Sequence, residues 1–327
     1  MALGQLIEGK WVSKREQEDS QGRFLRPSTT FRDRITPDGS SGFKAESGRY
    51  HLYISWACPW AHRTAIMRTL KGLEDAITFS VVDPLMGEEG WAFSDYPGSI
   101  PDTVNGTPYL RNVYLKADPK FTGRVTVPVL WDKETNTIVN NESRNIIRMF
   151  DTEFDSVVKS NVNFYPKDLQ ETIDQTIEAI YQPINNGVYR AGFATTQEAY
   201  EEAVTELFDA LNYWEGVLEK QRYLCGDSLT EADWCMFTTL FRFDAVYYVH
   251  FKCNLRHIFE YPNLWNYLLD LYQQPGVKQT CNLDHIKLHY YKSHPNVNPY
   301  GIVPKGPILD FDTPHNRQQL TRVAAQA

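Results

Sequence analysis

Tyr50-His-Leu-Tyr-Ile-Ser-Trp-Ala-Cys58-Pro59-Trp60-Ala61 is the stretch on which the fold turns. Its first seven residues are aromatic and β-branched enough to predict a strand. A Cys-Pro step follows, and Trp60–Lys71 then carries apolar residues at Ala61, Ala65, Ile66 and Leu70. That spacing predicts a helix, with Pro59 in its first turn, where a missing N–H costs nothing. Cys58 therefore faces the unpaired N–H groups and positive dipole end of a helix, and both favour thiolate. An arbitrary cysteine is more often a buried structural residue. Strand, Cys-Pro and helix together reverse that preference.

Outward from this point, Ile77–Val82 alternates and predicts a second strand. Residues 84–123 form a long irregular stretch punctuated by Gly87, Gly90, Pro97, Pro101, Pro108 and Pro119. Connections of that length are usually functional. Thr126–Trp131 and Thr137–Val139, joined by a charged turn over Asp132–Asn136, predict a hairpin. The amphipathic Ile146–Phe154 predicts a helix. Strand, helix, strand, long connection, hairpin, helix is the thioredoxin-like order. Beyond Asp155 the pattern is helical over Leu169–Tyr181, Gln197–Lys220, Thr230–Val249, Pro262–Tyr272 and about Val277–Tyr290. Thr230-Glu-Ala-Asp233 reads as a capping box. The expected class is thus α/β plus all-α: an extended arm over 1–47, a thioredoxin-like domain over 48–155, an all-helical domain over 165–293 and a Pro/Gly-rich extended tail over 294–327.

Composition excludes several classes. The 33 Lys plus Arg against 41 Asp plus Glu give a net charge of −8, with no basic cluster, which argues against nucleic acid as a partner. No apolar run approaches the roughly 18 residues of a membrane span. The first ten residues have neither a signal-peptide core nor a transit-peptide composition. Five cysteines, at 58, 225, 235, 253 and 281, are odd in number and widely spaced, with no Cys-x-x-Cys pair to suggest a metal site. A reducing cytoplasm with free thiols is the expected setting. Ala61 stands where a dithiol oxidoreductase would carry its second thiol. A mixed disulfide on Cys58 must then be resolved by an external thiol, and glutathione is the obvious one.

Two further signals accompany the cysteine. Val127-Pro128 opens a strand, where proline removes a ladder N–H and marks a special backbone site, or simply an edge. Glu142-Ser143 opens a helix, so Ser143 and nearby N–H groups could hold a carboxylate while Glu142 accepts an ammonium. A plain N-cap is the simpler alternative for that pair taken alone.

Cys58-Pro59-Trp60-Ala61, Val127-Pro128, Glu142-Ser143 and Thr230-Glu-Ala-Asp233-Trp234 resemble the cysteine-type glutathione transferases. Trp91 with its surroundings, Asn185-Asn-Gly-Val-Tyr-Arg-Ala-Gly-Phe193, His289-Tyr-Tyr-Lys-Ser-His-Pro295 and Gly301-Ile-Val-Pro304 narrow the resemblance to the glutathionyl-hydroquinone reductases, the Xi class. It spans about Gly48 to Pro307 and implies the glutathione transferase fold, glutathione as co-substrate without metal or nucleotide, and a homodimer. Residue by residue it implies Cys58 as the catalytic thiol and Trp91, Arg124, Val127, Glu142 and Ser143 as the glutathione holders. Tyr189 and Tyr290 would line an aromatic pocket, with Tyr291 as the lesser neighbour, and one of the two would donate a proton. Glutathionylated aromatic small molecules would be the partners.

Beside that resemblance, the residues read more plainly. Trp91 lies in an exposed-looking Gly-rich loop, which suits a lid. Arg124 is either a surface charge or the partner of a carboxylate. Tyr189 falls near a turn between helices, and His62 reads as a surface or packing residue. The expected activity is reduction of S-glutathionyl-hydroquinones through a Cys58–glutathione disulfide. An omega-like thiol transferase or dehydroascorbate reductase, and a non-catalytic ligand-binding protein on the same fold, are the alternatives.

Overall fold

All five residues of Tyr50–Ile54 are buried, as a central strand covered on both faces requires. In the computed structural model, which describes residues 4–13, 18–160 and 162–320, this strand pairs in parallel with Ile77–Val81 and antiparallel with Val129–Asp132. Thr137–Asn140 completes the four-stranded sheet beside Val129–Asp132, as the second arm of the expected hairpin. Helix Pro59–Leu70 makes the parallel crossover, and helix Ser143–Thr152 packs on it.

The described residues divide into two compact units: 4–13, 27–160, 162 and 280–303 in the first, and 18–26, 163–279 and 304–320 in the second. These bounds differ from the expected 1–47, 48–155, 165–293 and 294–327. The arm is shared between the units, and the last helix, Leu283–Ser293, joins the first. Its attachment is chemical. His285 Nε2 lies 2.7 Å from Pro97 O, His289 Nδ1 lies 3.0 Å from Pro84 O, and Ser293 Oγ accepts from Met86 N–H at 3.0 Å. Parts of the arm (1–3 and 14–17) and of the tail (321–327) lie outside the described residues.

The arm is more ordered than its composition implies. Gln5–Ile7 pairs with Lys10–Val12 on one side and Gly123–Arg124 on the other. Glu8 and Gly9 both take positive φ in the turn, and a Cβ at Gly9 would sit 2.1 Å from Pro119 O. The stretch 84–123 also contains an unexpected helix, Leu110–Ala117, which buries Leu110, Val113 and Tyr114. Tyr109 at its N-cap supplies no capping side chain, so burial of that one face fixes it.

In the second unit, helices Gln170–Ile180, Gln197–Leu218, Glu231–Arg242 and Pro262–Tyr272 match the expected segments within a few residues, apart from Thr230–Val249, which changes at Phe243–Tyr247 to a π turn. The capping box is formed, with Thr230 N–H donating to Asp233 Oδ2 at 2.8 Å. A second π turn at Tyr181–Asn185 contains Pro183, which has no N–H for the regular ladder, and leads into the short helix Gly187–Gly192. Tyr189 is thus helical. The segment expected over Val277–Tyr290 is instead a 3-10 turn, Lys278–Thr280, followed by Leu283–Ser293. Among the described residues no helix is long and apolar enough to cross a membrane.

Candidate active site

Cys58 is the N-cap of helix Pro59–Leu70, with φ −80° and ψ 120°. Its own N–H donates to Ser55 O at 3.2 Å, and its carbonyl accepts from His62 N–H at 2.9 Å. The thiol is partly exposed, and no acidic residue occupies the helix's first turn to offset the positive end. The sheet register sets what stands opposite. Tyr53 faces Val129, so the chain just before Val129 comes alongside the loop that carries Cys58. The Val127–Pro128 bond is cis, and Cys58 Sγ donates to Val127 O at 3.6 Å.

Glu142 caps helix Ser143–Thr152, accepting from Arg144 N–H at 3.3 Å and, at 3.5 Å, from Ser143 Oγ. Ser143 is buried. Glu142 Oε2 additionally receives Thr29 Oγ1 at 3.3 Å and lies 3.6 Å from Arg32 Nη2. The Arg32 pair is partly exposed to solvent, which weakens its hold on the carboxylate. Thr29 and Arg32 were not foreseen, because these partners lie 113 and 110 residues from Glu142. They arrive because the chain beside Phe31 runs along Asn140–Asn141, where Asn141 N–H donates to Phe31 O and Asn140 Nδ2 to Asp33 O. Arg124 lies opposite Gln5 in the small antiparallel sheet.

Trp91 is not on an exposed lid. It is only 7% exposed, and its ring stacks on His289 with centroids 4.8 Å apart. His289 belongs to the last helix, which covers this loop, and its ring also meets Tyr290 edge-on at 5.3 Å. Tyr290 and Tyr291 are both buried, and burial pushes the Tyr291 phenol up to about 12. Within the first unit, then, Cys58 and Val127 come together, Glu142 and Ser143 come together, and Trp91 and Tyr290 share His289. Tyr189 belongs to the second unit, where its ring meets Phe193, Tyr247 and Phe251.

His62 is fully buried, so the surface half of its expected role is excluded. Its Nε2 lies 2.9 Å from Thr280 Oγ1 and 3.8 Å from Cys281 Sγ. The other thiols sit in apolar or occupied settings. Cys235 and Cys253 are buried, and burial raises the thiols of Cys253 and Cys225. Among the described residues, no group of three or more His, Cys, Asp or Glu side chains is placed to hold a metal ion.

The geometry can support one nucleophilic thiol beside a backbone carbonyl, at the start of a helix that packs on the Glu142-capped helix suited to a charged ligand end. Residues 57–153 match the model of the family described as Glutathione S-transferase, N-terminal domain, and residues 197–269 that of the Glutathione S-transferase, C-terminal domain. Over 96% of its length the chain is 52% identical to glutathionyl-hydroquinone reductase YqjG of Escherichia coli (strain K12), covering 98% of that protein. The solved Xi Class GST from Natrialba magadii is 56% identical, with 98% of each chain covered and a TM-score of 0.93. The glutathione-bound structure of YqjG, a glutathione transferase homolog from Escherichia coli K-12, is 51% identical at a TM-score of 0.90, covering 96% of this chain and 99% of that one.

Proposed function

This chain belongs to the glutathione S-transferase family and groups within it with the glutathionyl-hydroquinone reductases, and from that membership we propose how its residues act. The protein is an enzyme that reduces S-glutathionyl-hydroquinones to hydroquinones at the expense of glutathione. The observation that carries the chemistry is Cys58 itself, a single thiol at a helix N-terminus, with Ala61 where a resolving thiol would stand.

In the first half-reaction the Cys58 thiolate attacks the sulfur of the glutathionyl group. A Cys58–glutathione disulfide forms and the aryl carbon–sulfur bond breaks. The electron pair of that bond goes to the ring carbon, which takes a proton and leaves as hydroquinone. Tyr189 or Tyr290 supplies that proton or steadies the keto tautomer. In the second half-reaction the thiolate of a second glutathione attacks the sulfur of the bound one, giving oxidised glutathione and free Cys58. The net change reduces one ring carbon by two electrons and oxidises two sulfurs by one electron each, the substrate's glutathionyl sulfur and that of one free glutathione, joining them as oxidised glutathione.

Glutathione is held by Trp91, Arg124, Val127, Glu142 and Ser143. The buried Ser143 and the capped helix start suit the carboxylate of a γ-glutamyl group, and Glu142 suits its ammonium. The Val127 backbone suits the peptide part of the same molecule. The assembly is a homodimer, and the compartment is the cytoplasm, a reading supported by five cysteines that are odd in number and widely spaced along the sequence.

The test is a single turnover. Protein mixed with a glutathionyl-hydroquinone, without added glutathione, gains the mass of one glutathione on Cys58 and releases one equivalent of hydroquinone. Cys58→Ala does neither. Release of hydroquinone by Cys58→Ala at the wild-type rate overturns the proposal.

A further inference from the structure

The arm segment 18–26 belongs to the second unit, and its contacts converge on the short helix that carries Tyr189. Six residues are too few for a helix to hold its own shape, so outside contacts must fix where Tyr189 points. Arg26 supplies two of them. Its Nε donates to Asn186 Oδ1 at 2.7 Å, on the residue directly before the helix. Its guanidinium carbon lies 4.7 Å from the centroid of the Tyr189 ring, over the ring face.

The neighbouring arm residues hold Arg26 in place. Phe24, buried beneath the same guanidinium at 5.3 Å, packs on Phe193 at the far end of the helix. Gly22 O accepts from Thr195 N–H at 3.0 Å, and Gln21 O from Thr196 Oγ1 at 2.9 Å. Arg23 pairs with Glu202 at 2.7 Å, and Glu202 also pairs with Arg190 of the Tyr189 helix. A Cβ at Gly22 would fall 2.7 Å from both Thr195 and Thr196, so the arm lies close against the chain there. Only a planar, many-donor cation can stack on one ring and donate sideways to an amide at once.

We infer that Arg26 is a positioning residue for Tyr189. It fixes the orientation of the phenol and places a positive charge on its ring face, which favours the charge that develops on the oxygen as its proton leaves. The inference rests on the reading of Tyr189 as a proton donor.

The experiment is a double-mutant cycle over Arg26→Ala and Tyr189→Phe, with Arg26→Lys alongside. Each protein is assayed with a glutathionyl-hydroquinone and with a small glutathione-mixed disulfide, which needs Cys58 but no carbon protonation. Arg26→Ala is expected to lower kcat for the aryl substrate by roughly ten- to a hundredfold, the scale of a misplaced reacting group. KM and the disulfide rate should change by less than about threefold, a difference of under about 1 kcal/mol. Arg26→Lys should recover only part of the loss. In the Tyr189→Phe background Arg26→Ala should cost nothing further. An equal loss in both backgrounds, an equal loss with both substrates, or full recovery by lysine overturns the role of Arg26 while leaving that of Tyr189 standing. A wild-type aryl rate in Tyr189→Phe overturns the role of Tyr189 itself, and with it any action of Arg26 through that residue.

Discussion

Cys58 and Asp233 show how differently two helix starts can use the same local rule. Cys58 occupies an N-cap without a side-chain hydrogen bond to its helix, so the N-terminal N–H groups keep their pull on whatever anionic group is present. Asp233 closes its own N-terminus, accepting from Leu224 N–H, Thr230 N–H and Oγ1, and Tyr267 Oη. Even so, burial dominates and pushes its carboxyl up to about 6. The folded protein therefore binds this proton more tightly than the unfolded chain, whose aspartate titrates near 3.9. Stability from this residue is full below pH 4 and falls as the pH rises to 6, by roughly 3 kcal/mol at about 1.36 kcal/mol per unit. In Asp233→Asn the fall in unfolding free energy between pH 4 and pH 7 should flatten by about that amount, followed by urea titration at each pH. An unchanged slope would show that the carboxyl titrates normally. The Thr-x-x-Asp spacing was legible in the sequence; its complete burial was not.

At the scale of the element, strongly periodic segments were readable and short ones were not. Helices Pro59–Leu70 and Gln197–Leu218 carry enough apolar spacing to declare themselves. Leu110–Ala117 and Gly187–Gly192 do not, since each is held by what packs on it. Gly192 makes the point. A Cβ there would meet Phe251 Cγ at 2.1 Å, and Phe251 is fully buried. Nothing in the local pattern announces that approach, which joins residues 59 positions apart. Gly192→Ala should lower stability by about 1–3 kcal/mol, the usual range for overpacking, read as a lower urea midpoint at constant slope. A midpoint equal to that of the wild type would mean that Phe251 yields without loss. The π turn at Tyr181–Asn185 is legible only in part, through Pro183.

Across the whole molecule, the proposed homodimer predicts a sedimentation-equilibrium mass of twice the chain at micromolar concentration, and a mass of one chain would remove it. What the sequence determined alone was everything set by neighbours in the chain: the strand-Cys-Pro-helix junction, the hairpin after Val127-Pro128, the capping box and the succession of helices. It also singled out Cys58, because that position's meaning depends only on the elements directly before and after it. The tertiary structure decided what depends on meetings between distant residues. It brought Thr29 and Arg32 to Glu142, laid His289 under Trp91, drew the last helix into the first unit and set Arg26 on Tyr189. Such contacts leave no periodicity, since each is fixed by burial and hydrogen bonding between segments that the sequence separates by dozens to hundreds of residues.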